Sequence, residues 1–232
     1  SGGAGVGALL AMLFGLAGFG IAGFSFLGAL SSMLLIFGLA HGDGSWTQTR
    51  LLLTGVVVAA GCGAVVALIL TIAPEQKIHG MLFWLMGDLS QAVDAAPALA
   101  ALALVLLVAL PFARELNLLA RGAEQALALG VSVKGLRRLV YLVASLATAV
   151  AVTTAGSIGF IGLIVPHLVR LALGNDQRLL LPAATLAGGS LLVLADTLAR
   201  TVVAPIQLPV GVLTALIGVP VFLYLLSRSA KL

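Results

Sequence analysis

LLLPAATLAGGSLLVLADTLAR, residues 179–200, is uncharged from Leu179 to Ala195 and closes on Asp196 and Arg200. A helix needs about 20 mostly apolar residues to cross a hydrocarbon core, and this stretch supplies them with its charges gathered at one end. Working outward, further uncharged runs occupy residues 1–42, 51–74, 95–113, 139–169 and 201–227. The chain is 61% hydrophobic and 9% charged, with a mean hydropathy of +1.21. No soluble domain of ordinary composition carries that much apolar surface, so the chain is read as a membrane protein.

The runs at 1–42 and 139–169 are long enough for two crossings each. The first divides at the glycine-rich stretch from Gly15 to Gly20, and the other near residues 153–159, where glycine and small polar residues offer a turn. The reading is an all-α, polytopic helical bundle of about eight spans. A closed barrel, the other spanning solution, would show alternating segments of about ten residues, and these runs are apolar on all sides.

Charge sets the orientation. With eight spans, one side of the membrane receives Arg50, Arg114, Arg121, Lys134, Arg137, Arg138, Arg170, Arg178, Arg228 and Lys231. The other side receives only Lys77 and Arg200. Lys and Arg accumulate on cytoplasmic loops, which makes the first side cytoplasmic. The net charge of +4 is therefore a topology signal and not a nucleic-acid footprint. The abrupt apolar start, without a basic segment or cleavage site, suggests that earlier residues precede Ser1.

Two connections carry most of the polar residues. The external one, residues 75–94, sets Ile78, Met81, Leu82, Leu85 and Met86 at helical spacing around Trp84, the pattern of a short helix lying at the interface. The cytoplasmic one, residues 114–138, places Leu116, Leu118, Leu119, Ala123, Ala126, Leu127 and Leu129 among Glu115, Arg121, Glu124 and Gln125, and stops at Gly130. That is an amphipathic helix with a C-terminal glycine. Such a stripe either covers the ends of the bundle or docks into a partner's groove. Most of the 28 glycines fall within the spans and are expected at close helix–helix contacts.

Chemistry finds little support. His41, His79 and His167 lie far apart, without metal-ligand spacing, and the single cysteine, Cys62, reads as a packing residue. Gly156, Gly159 and Gly162 have no phosphate-loop lysine after them. Ser157 and His167 lack the sequence context of a serine nucleophile. An ion-coupled transporter keeps an acid at mid-membrane, and here Asp196 alone lies in a span, near its external end. No catalytic or metal-binding residues are assigned.

Asp196 and Arg200 stack on one helix face. They form a local ion pair, or Arg200 presents a cation to an acidic soluble partner; the residues leave both readings open.

The segment GSIGFIGLIVPHLVRLALGNDQRLLLPAATLAGGSLLVLADTLAR with QLPVGVLTALIGVPVFLYLL resembles the iron-siderophore, haem and vitamin B12 permease family of ABC importers. SGGAGVGA, TRLLLTGV, MLFWLMGDL and ALALGVSVKGLRR extend the resemblance over essentially the whole chain. The resemblance implies a ten-span subunit, two of whose N-terminal spans are not in this sequence. It implies a coupling helix seated in the ATP-hydrolysing subunit, formed by Ala123, Glu124, Ala126, Leu127, Leu129 and Gly130, with Arg137 and Arg138 beginning the next span. It further implies a cytoplasmic gate at Thr47, Gln48 and Thr49, before Arg50, and a docking point for the substrate-binding protein at Arg200. Gln207 stands where the family commonly has an acid, so no charged role carries over to it.

The function implied is that of the transmembrane permease subunit of an importer of haem, a ferric siderophore or cobalamin in the bacterial inner membrane. This chain would bind no cofactor, with ATP and Mg on the partner ATPase. Its partners would be a second copy, two ATPase subunits, a soluble periplasmic substrate-binding protein and the lipid bilayer, with no nucleic acid. Two such bundles would enclose a path lined by residues 51–73 and 210–226. The alternative from another class is an ion-coupled secondary transporter.

Overall fold

Small residues and prolines decide where the apolar runs become separate helices. The structure is a computed structural model that describes residues 1–40, 48–90 and 94–229. It contains α1 (Gly2–Leu13), α2 (Phe19–Ala40), α3 (Gln48–Ile72), α4 (Glu75–Met86), α5 (Ala96–Ala109), α6 (Ala113–Ala120), α7 (Ala123–Ala128), α8 (Val133–Ala155), α9 (Ile161–Leu173), α10 (Gln177–Thr201) and α11 (Val210–Ser229), and no strand among the described residues. The chain is all-α and multi-pass. Helices α1, α2, α3, α5, α8, α9, α10 and α11 fall on the expected apolar runs. By length and composition α2, α3, α8 and α10 suffice to cross a membrane; α5 and α6 do so as a pair bent by 69°, and α1, α9 and α11 are shorter.

Both expected splits are found, at residues 14–18 and 156–160. The first closes with Gly15 N–H donating to Met12 O at 3.0 Å and Leu16 N–H to Ala11 O at 2.9 Å, which satisfies carbonyls that the end of α1 leaves over. The last run departs from expectation. Residues 201–227 do not form one helix: α10 continues to Thr201, and the chain then turns until α11 starts at Val210. Pro205 and Pro209 have no backbone N–H to continue a helix, and Leu208 N–H closes the turn on Ala199 O at 3.0 Å.

The helices group into two units, one of residues 1–93 and 148–157, the other of residues 94–147 and 158–232, so that α8 contributes to both. In the first, α1 and α2 meet backbone to backbone. A Cβ on Gly3 or Gly7 would run into the carbonyls of Gly28 or Phe24, and one on Gly28 into that of Gly3. Lipid offers no hydrophobic drive between helices, so such close approach supplies the attraction. Gly23, Gly55, Gly61, Gly63, Gly159, Gly162 and Gly189, expected at similar contacts, instead have nothing within 4 Å of where a Cβ would stand.

The core of this unit joins Leu9, Ile69 and Met81, with Val66, Trp84 and Leu85 packed around them. Met81 is 0% exposed. Within the stripe of α4, Met81 is buried among residues of α1 and α3, while Leu82 stays 40% exposed. The helix also ends at Met86 and does not run on to Asp94. Lys77, in its first turn, donates through Nζ to Met12 O at 3.1 Å and Leu13 O at 2.9 Å, capping the C-terminus of α1. Asp88 N–H reaches Ala155 O at 3.0 Å, tying the end of α8 to the same unit.

In the second unit, Gly188 of α10 lies close to Ile161 and Val165 of α9. Phe160, the residue before α9, has φ 67. It sits over Gly218 of α11, where a Cβ would stand 2.6 Å from Phe160 Cβ.

Candidate functional site

The amphipathic segment after α5 was expected as one helix and is two. Arg121 and Gly122 interrupt the stripe, and Gly122 adopts φ 133, a conformation nearly closed to residues with a Cβ. The stop at Gly130 is as expected. Gly130, at φ 83, donates to Leu127 O at 3.0 Å, and Val131 N–H donates to Ala126 O at 3.0 Å. This pair of bonds with a left-handed glycine is the Schellman termination. Its accompanying apolar contact is present too, since Ala126 and Val131 share a buried cluster with Val133 and Leu136, flanked by Phe112, Leu116 and Leu119.

That small core separates the residues expected to couple to a partner. Ala126 is fully buried and Ala123 packs against the cluster, so both hold α7 in place. Glu124 and Gly130 are exposed, and Leu127 and Leu129 project with 58% and 65% of their surface open. Two leucines held outward on a short, firmly terminated helix form an apolar knob among charged neighbours, the kind of surface a groove on another protein buries.

Asn117 was not anticipated. Its Nδ2 donates to Asp176 Oδ1 at 2.8 Å, and its Oδ1 accepts from Gln177 N–H at 2.9 Å. Asp176 is itself the N-cap of α10, accepting from Arg178 N–H at 3.0 Å. Two of the N–H groups that a helix start leaves unpaired are thus satisfied, one locally and one by a side chain from α6. The Asn117 donation and then the Arg178 N–H hold the Asp176 carboxyl below the usual carboxylate value. Asp176 was legible as a cap, since it precedes an apolar run. Asn117 carries no such local signal.

At the other end of α10, Arg200 Nε donates to Asp196 Oδ2 at 2.8 Å and Nη2 to Oδ1 at 3.2 Å. The side chains are 43% and 21% exposed. Arg200 is engaged by its neighbour yet open to solvent or a partner. Of the expected gate, Thr47 lies outside the described residues, Gln48 opens α3, and Thr49 with Arg50 occupies the exposed first turn of that helix and not a loop. His79 stacks at 4.7 Å on Phe83.

Comparison with known proteins covers the same span. Residues 1–228 match the profile of the FecCD transport family. The chain is 43% identical over 210 residues to the hemin transport system permease protein of Yersinia pestis, covering 89% of this chain and 62% of that one. It is 44% identical over 229 residues to the cobalamin import system permease protein of Halobacterium salinarum, covering 97% and 61%. With the Fe(3+) dicitrate transport system permease protein of Escherichia coli it shares 41% identity over 209 residues, covering 88% and 64%. The chain thus spans less than two thirds of the length of these relatives. A metal-chelate type ABC transporter solved in an inward-facing conformation superposes with a TM-score of 0.88 at 31% identity, over 98% of this chain and 73% of that one.

Proposed function

Because the chain belongs to the FecCD transport family, we propose that it acts as the transmembrane permease part of a binding-protein-dependent ABC importer. The cargo would be haem, a ferric siderophore or cobalamin, moved inward across the bacterial inner membrane. The observation that carries this reading is α7: a helix fixed by a Schellman turn and a private core, holding Leu127 and Leu129 outward beside Glu124. An importer driven by another subunit needs a socketed contact through which motion arrives.

In this reading, ATP and Mg reside on two ATPase subunits, which receive α7. A second copy of the permease completes the pathway, and Thr47, Gln48 and Thr49 form its cytoplasmic constriction. Arg200 meets acidic side chains of the soluble binding protein. Lys and Arg near α6, α7 and the start of α10 then face the cytoplasm, in keeping with the positive-inside bias.

The test is reconstitution of the full-length permease with its ATPase and binding protein in proteoliposomes, supplied in turn with haemin, ferric citrate and cobalamin. ATP-dependent accumulation of one of them is expected. Accumulation driven by an ion gradient without ATP would overturn the reading.

A further inference from the structure

We propose that Asn117 is a positioning residue that passes displacement of α7 to α10, an assignment that rests on the importer reading. The geometry is a two-point clip. Asn117 donates to Asp176 and accepts from Gln177 N–H, so one side chain on α6 grips both the cap and the first residue of α10. The α6–α7 segment and the first turns of α8 share one buried cluster, so a push on Leu127 and Leu129 moves that segment as a body. α10 is a single helix of 25 residues, rising about 37 Å, and it carries Arg200 in its last turn. Pro182 omits one bond of the ladder near its start, but the helix is continuous, so a load applied at Gln177 is delivered along it to the end that bears the Asp196–Arg200 pair.

Two features favour transmission over simple end-capping. Asp176 already caps the helix through Arg178 N–H, so the side-chain cap itself is made without α6. The clip is also exposed at Asp176, where it adds little burial, and its bonds are directional. Hydrogen-bond networks and rigid helices are among the elements that carry coupling between sites.

Asn117→Asp keeps the acceptor for Gln177 but replaces the donor with a carboxylate facing Asp176. The exchange Asn117→Asp with Asp176→Asn rebuilds the pair with donor and acceptor swapped and keeps an oxygen to accept from Arg178 N–H. Both would be made in the full-length permease complexed with its ATPase and binding protein. Accumulated haemin, ferric citrate or cobalamin, whichever the wild type takes up, would be measured per ATP hydrolysed. Asn117→Asp should retain the ATPase and its hydrolysis rate while uptake per ATP falls about tenfold or more, the change that losing one charge-assisted bond corresponds to. The exchange should restore most of it.

Wild-type uptake per ATP in Asn117→Asp overturns the clip. Equal loss in the single and exchanged variants overturns it too, because the pairing would then be irrelevant. If Asn117→Asp fails to insert while the exchanged protein inserts normally, the pair serves folding and the proposal falls. A wild-type complex without ATP-driven uptake of any of the three compounds overturns the importer reading, and the clip's role with it.

Discussion

Arg200 reaches back one helical turn to grip Asp196 with two donors, Nε to Oδ2 at 2.8 Å and Nη2 to Oδ1 at 3.2 Å. The two sequence readings of this pair are thereby compatible. The ion pair orients a guanidinium that stays 43% exposed, so the same contact that satisfies Asp196 also presents Arg200.

Arg200→Glu should weaken association with the binding protein well over tenfold, since a charge-assisted bond to a partner carboxylate contributes about 1.5–3 kcal/mol. Wild-type association should weaken further as salt rises. Surface plasmon resonance at several ionic strengths reads both effects. Unchanged affinity would reduce Arg200 to a helix end paired with Asp196.

Leu127→Asp should release or uncouple the ATPase while the permease still inserts, because Leu127 is 58% exposed and lies outside the buried cluster that holds α7. Ala126→Asp should instead lose the segment itself, since Ala126 is 0% exposed and a buried, unpaired carboxylate is strongly destabilising. Co-purification and limited proteolysis separate the two outcomes. Identical behaviour would mean that α7 is a cover and not a contact.

Lys77 shares the expected external face with Arg200 but is spent differently, on Met12 O and Leu13 O. Lys77→Met should lower permease stability by about 1–3 kcal/mol, the cost of leaving the part-buried Leu13 carbonyl without its lysine partner while Met12 O keeps Gly15 N–H, and leave binding-protein affinity alone. Thermal unfolding in detergent, measured beside the affinity, would expose the reverse pattern if Lys77 were a docking residue.

Thr49 sits in the exposed first turn of α3. With Cys62→Ser as background, Thr49→Cys in two copies should crosslink to an extent that changes between nucleotide-free and ATP-bound complexes. A yield that ignores nucleotide would argue against a gate there.

The Asp176 carboxyl is held below its ordinary value by Asn117 and then by Arg178 N–H. A carboxylate depressed in the folded state contributes stability above its unfolded value, and that contribution is lost as pH falls through the folded one. Asn117→Ala should therefore be less stable than wild type at neutral pH, by a gap that narrows only on acidification below the ordinary aspartate range. A gap that instead narrowed as pH rose from neutral would show that another group controls the clip.

What could be read in advance follows from the range over which each signal acts. Gly130 announced its own turn, because a left-handed C-terminal residue is a local demand that glycine meets. Gly122 did not, since a lone glycine within an apolar stripe reads equally well as a tolerated helical position. Residues 202–209 were taken into the last span because they carry no charge, although Pro205 and Pro209 mark a break. Met81 shows the limit of periodicity: the stripe of α4 was legible, but which of its residues would be buried depends on α1 and α3. Asn117 and Lys77 were illegible for the same reason, their partners lying 59 and 64 or more residues away along the chain.

Phe160 and Gly218 bind the history of two distant segments together. Phe160 holds a backbone conformation that costs a side-chain-bearing residue about 1–3 kcal/mol, and Gly218 makes room for the base of its ring, since an added Cβ would stand 2.6 Å from Phe160 Cβ and 3.1 Å from Ile164. A chimaera that grafts this loop before α9 into another permease with a larger residue at the position of Gly218 would inherit a clash that neither parent possesses. The two positions should be exchanged as one cassette, and a mutational screen should recover substitutions at Gly218 chiefly in backgrounds where Phe160 has already been made smaller.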